Sequence, residues 1–582
     1  MRYLVLLLAA CSGTIGDPTG GPADPNGPGG PTEVPTACGS TDFVCGEPSL
    51  AGPDAPMRRL SRAQLTHTVR DLVDHLLGDG SDVFAEVQGA LGALPVDQRV
   101  EEEGNQPGQL LFLRSDQSIG ELSVRARYGL AESLAAALAV PARLEAMGFE
   151  CLVDEESVND AECVDRVVDE VGLLTHRRPL DDEERVFYRG VYGSDLASLE
   201  RVERLLTVLF AQPHFLFHVE GTGELTAYEA ASRLSYQFWD TMPDSALLAA
   251  AESGALLTGE GWQAEVERVL ADPRAEQAMA SFLEEWFRFD QLNLPSTGSS
   301  PDFAYVAEGL IIDEAFDAAV RDELVDLFVH VVRSGGSFED YFLSTVTTTS
   351  NPSLAAIYGV EPSVDGEPVE LPPERHSLLT RTGMLLGRSE VVIPPVDSVT
   401  HPILRGVFIL RQITCQNLPP APAGAMENLP PIDRSRQGAR EATSILTGAS
   451  RCASCHDGIN AAGFALEAFD PIGQYRSEEA LFDDEGAFTT MVPIDDEVVF
   501  PGQSAAVQGG VALSESLFCS EAVSACFARH YVRFSTGRHE DRDADGCLLA
   551  AIDEAIDEGE PLRDVLASLV LQPGYRVRGE VE

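Results

Sequence analysis

Cys452-Ala453-Ser454-Cys455-His456 constrains this chain more than any other five residues. Two thiols three positions apart lie about a helical turn from each other, and the imidazole that follows shares their face. Thiols in that order can add across the two vinyl groups of one haem, and His456 is then held under the iron as its proximal ligand. This is the attachment signature of covalent haem c. The structural alternatives are a disulfide with a bystander histidine and part of a zinc site. Zinc sites usually need a second ligand pair at similar spacing, and the chain has none.

Covalent haem attachment requires export, and the first residues supply a signal for it. Met1-Arg2-Tyr3 is a minimal basic start, Leu4 to Leu8 is a short apolar run, and Leu8-Ala9-Ala10-Cys11 reads as the lipobox of a bacterial lipoprotein. Cys11 is the expected lipidation site, and Ser12 after it is compatible with delivery to the outer membrane. The bland alternative is a truncated apolar start with an incidental cysteine. Residues 12–57 are rich in Gly, Pro, Thr and Asp and cannot build a core, so a flexible stalk is expected. No other segment approaches 18 uncharged apolar residues, and the only membrane link expected is the lipid anchor.

Charge narrows the partners. The 94 acidic and 40 basic residues leave a formal charge of −54, a field that repels nucleic acid and anionic lipid headgroups. It suits a cationic redox partner, a salty environment or plain solubility. Of the 11 cysteines, setting aside Cys11, Cys452 and Cys455 leaves eight, an even number that fits disulfides in an oxidising compartment. Proximity suggests Cys38 with Cys45, Cys151 with Cys163, and Cys526 with Cys547. Cys415 with Cys519 remains by elimination.

Between stalk and motif the apolar residues keep helical spacing. Leu60, Leu65, Val69, Leu72, Val73 and Leu76 form one stripe over 59–78 that stops at Gly78. Further helices are expected over 118–140, 200–220 as far as Pro213, 228–239, from Pro243-Asp244, twice within 262–289, and 314–334. Strand-like runs are few, 390–393 and 497–500 being the better ones. The expected fold is mainly α, an extended multi-helix body followed by a small α-helical cytochrome c-like region. Helical domains are expected at 58–150, 151–222 and 223–345, then a haem domain at 374–476 and a C-terminal helical domain at 477–582.

The wording of these segments resembles a multi-domain family first described in planctomycetes and also common in myxobacteria, which pairs domains of unknown function with a planctomycete cytochrome c-like domain. RRLSRAQLTHTVRDLV (58–73) resembles the opening domain. RRPLDDEERVFYRGVY (177–192) and LLTVLFAQPHFLFHVE (205–220) resemble the second. YEAASRLSYQFWDTMPDSALLAAAESGAL (228–256) and DPRAEQAMASFLEEWFRFDQL (272–292) resemble the third. HSLLTRTGMLL (376–386), HPILRGVFILRQITCQNLPPAP (401–422) and CASCHDGINAAGFALEAFDPIGQYR (452–476) resemble the cytochrome-like domain, and CFARHYVRFSTGRHEDRDADGCLL (526–549) the closing one. The resemblance covers nearly everything after residue 57. It implies a secreted or periplasmic haem protein and brings no settled reaction or substrate. His401 stands where the pattern more often has Ser.

Around the motif, Gly458 and Gly463 let the backbone turn close to a flat macrocycle, with Phe464, Leu466, Phe469 and Ile472 as an apolar wall. Glu467 and Asp470 can cap helices or bind Arg476, and Arg476 can instead meet a haem propionate. Met491, followed closely by Pro493, is the candidate distal iron ligand; the competing reading is a packed methionine. His530, His401 and Met426 are weaker candidates. The pair His214 and His218 has metal-ligand spacing but flanks three apolar residues at a helix end. No nucleophile elbow, P-loop or metalloprotease motif is present. Two readings follow: an exported c-type haem protein in electron transfer or an oxidative reaction, and a surface scaffold or polysaccharide-binding lipoprotein whose C-x-x-C-H motif is structural and carries no haem.

Overall fold

The computed structural model describes residues 43–45, 57–97, 120–153, 160–194, 196–298, 300–386, 399–418, 429–541 and 544–579. Cys11, Cys38, Met426 and the strand expected at 390–393 lie outside them. Among the described residues the protein is mainly α, with twenty-four α-helices and ten short strands that pair only two by two. The helix Arg62–Leu77 shows why. Ser61 and Gln64 cap its first turn reciprocally, Leu65, Val69, Leu72 and Val73 bury one stripe, and Gly78 leaves at φ 78°. Equivalent reciprocal caps, Asp181 with Glu184 and Thr226 with Glu229, start the helices Asp182–Tyr192 and Ala227–Phe238. No single described helix is long and apolar enough to cross a membrane.

Two hydrophobic cores organise these helices. The first gathers residues from Leu60 to Leu216 together with Tyr236 and Met242, so the segments 58–150 and 151–222 share it. The second runs from Leu225 to Tyr575 and takes in the rest of the described body. Its centre is aromatic: Phe282 and Trp286 of the helix Ala275–Trp286 pack against Phe527, which Ala522–Thr536 supplies. Tyr236 crosses between the cores, its hydroxyl 2.8 Å from Thr68 Oγ1. Two strand pairs close the body, Arg58-Arg59 on Phe217-His218 and Gly223-Glu224 on Val577-Arg578. The strand expected at 497–500 is the two-residue Glu497–Val498. A hairpin that hydrophobic alternation did not reveal, Glu478–Phe482 with Phe488–Pro493, is the longest strand pair among the described residues.

The disulfides correct the pairing expected from proximity. Cys151 bonds Cys163, as expected. Cys45 bonds Cys547 across 502 residues, which replaces both Cys38–Cys45 and Cys526–Cys547. Cys526 bonds Cys415, which replaces Cys415–Cys519; Cys519 is also disulfide-bonded. The reason is tertiary: the Ala522–Thr536 helix lies beside the π-helical turn Ile409–Ile413, where Trp286 Nε1 also donates to Gln412 O at 2.8 Å. Sequence distance does not see that packing.

The first core carries a pH-sensitive cluster. His176 and His214 stack with ring centroids 4.9 Å apart. Burial holds both imidazoles down to about 4, helped by mutual repulsion at His176 and by Arg178 at His214. Such a base takes its proton more readily in the unfolded chain, so stability falls as pH drops from 6.5 towards 4. Glu184 behaves oppositely in charge but alike in sign. Hydrogen bonds from Arg178 at 2.7 and 2.9 Å hold it at about 2, so its contribution is present above 4.5 and lost towards 2. Melting curves should therefore show two successive acid windows. The double variant His176→Gln/His214→Gln should flatten the upper one alone, and Glu184→Gln the lower one alone. A wild-type Tm that does not move between pH 6.5 and 4 would contradict this.

Candidate functional site

The motif lies on the helix Ser450–Phe464, where Cys452 and His456 are four residues apart and Cys455 sits between them on the same side. Cys452 and Cys455 are half-buried free thiols, whereas every other described cysteine is in a disulfide. His456 is 5 % exposed, and its Nδ1 has no hydrogen-bond partner. Burial holds its pKa below the ordinary value, with Asn460 and Asp457 pulling weakly the other way. The imidazole is therefore neutral near pH 7 and has a nitrogen lone pair to give.

Two glycines seat this helix against the helix Pro402–Phe408. A Cβ on Gly406 would lie 1.9 Å from Ile459 O, and one on Gly463 would lie 2.0 Å from Pro402 O. Backbone thus meets backbone at both ends of the crossing. Arg405, on the same short helix, clamps the chain that follows the motif. Its guanidinium donates to Leu466 O at 3.0 Å, Phe469 O at 2.8 Å and Asp470 O at 2.7 Å, and to Leu385 O at 2.9 Å. Burial lowers its pKa to about 10, which leaves it charged at neutral pH. Glu467 lies 3.6 Å away and also accepts from Thr400 Oγ1 at 2.6 Å.

The motif helix also meets the helix Ala439–Thr447. Asn460 Nδ2 donates to Thr447 Oγ1 at 2.8 Å, one turn beyond His456. At the far end, Ala439 N donates to both carboxylate oxygens of Glu479 at 3.0 and 3.2 Å, a negative group placed on a helix N-terminus. Glu479 belongs to the hairpin, so hairpin, Ala439–Thr447 helix and motif helix form one chain of contacts.

The platform beneath is tied to the preceding region by buried arginines. Arg381 Nη1 lies 3.4 Å from Glu323 Oε1, with both side chains fully buried. Glu323 also accepts from Thr347 Oγ1 at 2.9 Å and Tyr358 Oη at 2.6 Å. Arg375 donates to Thr380 O and Ile357 O and to Gly473 O, its guanidinium lying over the Tyr358 and Phe469 rings.

The expected site residues are placed as follows. Arg476 ion-pairs with Glu467 Oε2 at 3.7 Å, and its buried Nη2 makes no hydrogen bond. Asp470 accepts from the amides of Ile472 and Gln474 and so shapes a turn. Met491 stands on the strand Phe488–Pro493 opposite Ala480 and is 37 % exposed. His401 precedes the Pro402–Phe408 helix, where burial beside Arg434 and Arg405 lowers its pKa to about 4. A ring nitrogen of His530 and the sulfurs of Cys415 and Cys526 lie within 4.8 Å of one another, but those sulfurs are bonded to each other and are not metal donors. His214 and His218 do not form a pair, because His218 packs edge-on to Tyr236 while His214 stacks on His176. Arg405, Gly406, Arg381 and Glu323 were not singled out beforehand. For Arg405, Gly406 and Arg381 the available signal was a charge or a glycine inside an apolar run, which a fold buries only with partners or for close approach; Glu323 follows Arg321-Asp322 and offered no such signal.

Comparison with protein families gives two matches. Residues 225–360 match PSD4, protein of unknown function (DUF1592), and residues 375–479 match PSCyt3, protein of unknown function (DUF1588). No curated protein and no solved structure matches the chain. The motif thiols, the imidazole and the Arg405 clamp all fall inside the second match, and the Glu323–Arg381 pair joins the two. The two matches support a multi-domain family of unknown-function domains, and their names, PSD4 and PSCyt3, are those of planctomycete cytochrome-like domains.

Proposed function

We propose that this is an exported c-type haem protein that passes electrons at the cell envelope. The observation that carries the reading is the pair of free thiols. In a set of described cysteines otherwise oxidised to disulfides, Cys452 and Cys455 alone stay reduced, on one face with a buried neutral imidazole. This donor set fits haem: Cys452 and Cys455 would hold it by thioether bonds and His456 would be its proximal ligand. Arg476, whose Nη2 ion-pairs with Glu467 at 3.7 Å but makes no hydrogen bond, suits a propionate. Bound haem supplies a one-electron couple. The protein's own part is positional. Gly406 and Gly463 fix the motif helix, Arg405 pins the chain after it, and Ile459, Phe464 and Leu466 keep water from its inner face.

Export is part of the proposal. The disulfides suit an oxidising compartment, and the lipobox at Cys11 would tether the body to the outer membrane. Expression in a periplasm with a cytochrome c maturation system should yield a haemochrome spectrum and an intact mass raised by one haem. An unmodified mass with a Cys452–Cys455 disulfide would end the proposal and leave the scaffold reading. Met491 is the proposed distal ligand. Loss of the methionine–iron absorption in Met491→Ala would support it, while a high-spin wild type that binds cyanide readily would replace the carrier by a redox enzyme with an open site.

A further inference from the structure

Tyr305 and Phe488 are 48 % and 52 % exposed, and they are exposed together. Their rings are nearly parallel, with centroids 6.2 Å apart and 19° between the planes. Phe482 is buried under both, meeting Tyr305 at 5.4 Å and 69° and Phe488 at 6.2 Å and 77°. A cluster of large apolar side chains held in water by a third ring is a feature of binding faces. This one is built from separate parts of the chain. Phe482 and Phe488 end the two strands of the hairpin at its turn. Tyr305 comes from the segment Pro301–Val306, anchored where Gln474 Nε2 donates to Val306 O at 2.6 Å.

The hairpin turn adds charge to the rings. Asp483 is used internally, accepting from the amides of Glu485 and Ala487 at 3.1 and 2.8 Å. Asp484 and Glu485 are left exposed at the tip. No Lys, Arg or His occurs anywhere between residues 477 and 528, so nothing on this stretch of chain answers their charge.

We propose that this hairpin face docks a basic partner protein, with an Arg or Lys of the partner lying over the Tyr305 and Phe488 rings and neighbouring basic groups meeting Asp484 and Glu485. Exposed rings bordered by carboxylates attract a cation twice, through the ring faces and through charge. A neutral glycan would leave the carboxylates idle, and an anionic glycan or headgroup would be repelled by them. The face is linked to the motif helix by a chain of contacts. The same hairpin carries Glu479, which caps the helix Ala439–Thr447, and Thr447 at that helix's end accepts from Asn460 of the motif helix. The purpose of the docking rests on the redox reading, whereas the binding itself does not.

The test uses the full chain and a small lysine-rich cytochrome c as the cationic probe, titrated by fluorescence anisotropy at low salt. Tyr305→Ala/Phe488→Ala and Asp484→Asn/Glu485→Gln should each weaken binding roughly fivefold or more, and binding should fall steeply with added salt. Cys452→Ala/Cys455→Ala should bind as wild type, which separates docking from haem loading. The chain contains no lysine, so carbodiimide can couple its carboxylates only to amines of the probe or of a chain terminus. Those adducts should map to Asp484 and Glu485. Unchanged affinity in either surface variant, adducts confined to other carboxylates, or retardation by a soluble neutral glucan with no binding of the probe would overturn the proposal.

Discussion

Gly406→Val should unseat the helix that carries Cys452, Cys455 and His456. The added Cβ would stand 1.9 Å from the carbonyl oxygen of Ile459, and no rotamer can relieve a clash with backbone. Overpacking of a tight contact costs about 3 kcal/mol when the neighbour cannot move, and here the neighbour is the motif helix. Gly463→Val should act in the same direction, since its Cβ would meet Pro402 O at 2.0 Å. The control is Gly190→Ala, on the helix Asp182–Tyr192, where nothing lies within 4 Å of the new methyl group. That change should be neutral or slightly stabilising. Urea unfolding gives the size of the effect. Thiol labelling of Cys452 and Cys455 in the haem-free protein gives its place, and both should react faster in the valine variants. A Gly406→Val protein that melts and labels like wild type would mean that the two helices do not cross at this distance.

The helical body was legible because local signals agreed there. The apolar stripe and Gly78 announce the same helix, and the structure builds it with that buried face and that stop, adding the reciprocal Ser61–Gln64 cap. The expected span 314–334 is the helix Glu314–Ser334. Three expected disulfides, two paired by proximity and Cys415–Cys519 by elimination, failed for the opposite reason. The bonds Cys45–Cys547 and Cys415–Cys526 depend on which distant segments pack together, and short loops are no guide to that. The hairpin escaped notice because its outer strand is almost wholly exposed, so Phe488 to Pro493 shows no apolar alternation. At the site, the donor triad could be read directly from five consecutive residues. What holds it could not: Gly406 reads only as a weak helix position until the second helix is laid across it. Arg405 reads as a surface charge until four carbonyls converge on it.

The largest loss of stability should come from Glu323→Ala. Its carboxylate is fully buried and answers Arg381, Thr347 and Tyr358 together. Removing it leaves the Arg381 guanidinium, itself fully buried, with two backbone carbonyls at Ser344 and Val346 and no counter-charge. Breaking one side of such a pair costs about 3–5 kcal/mol, far more than the pair contributes relative to apolar replacements. The double variant Glu323→Met/Arg381→Met should therefore recover much of what either single change loses. The position of the pair gives the experiment wider meaning. Glu323 belongs to the helix Glu314–Ser334 within 225–360, and Arg381 to the 375–479 segment that carries the motif. Both lie in one continuous core, so the single variants should lower one shared unfolding transition rather than release one segment. Calorimetry of wild type, both single variants and the double variant closes the cycle. Equal costs that simply add in the double variant would show that the two side chains are not coupled, and the clamp between the two matched regions would have to be sought elsewhere.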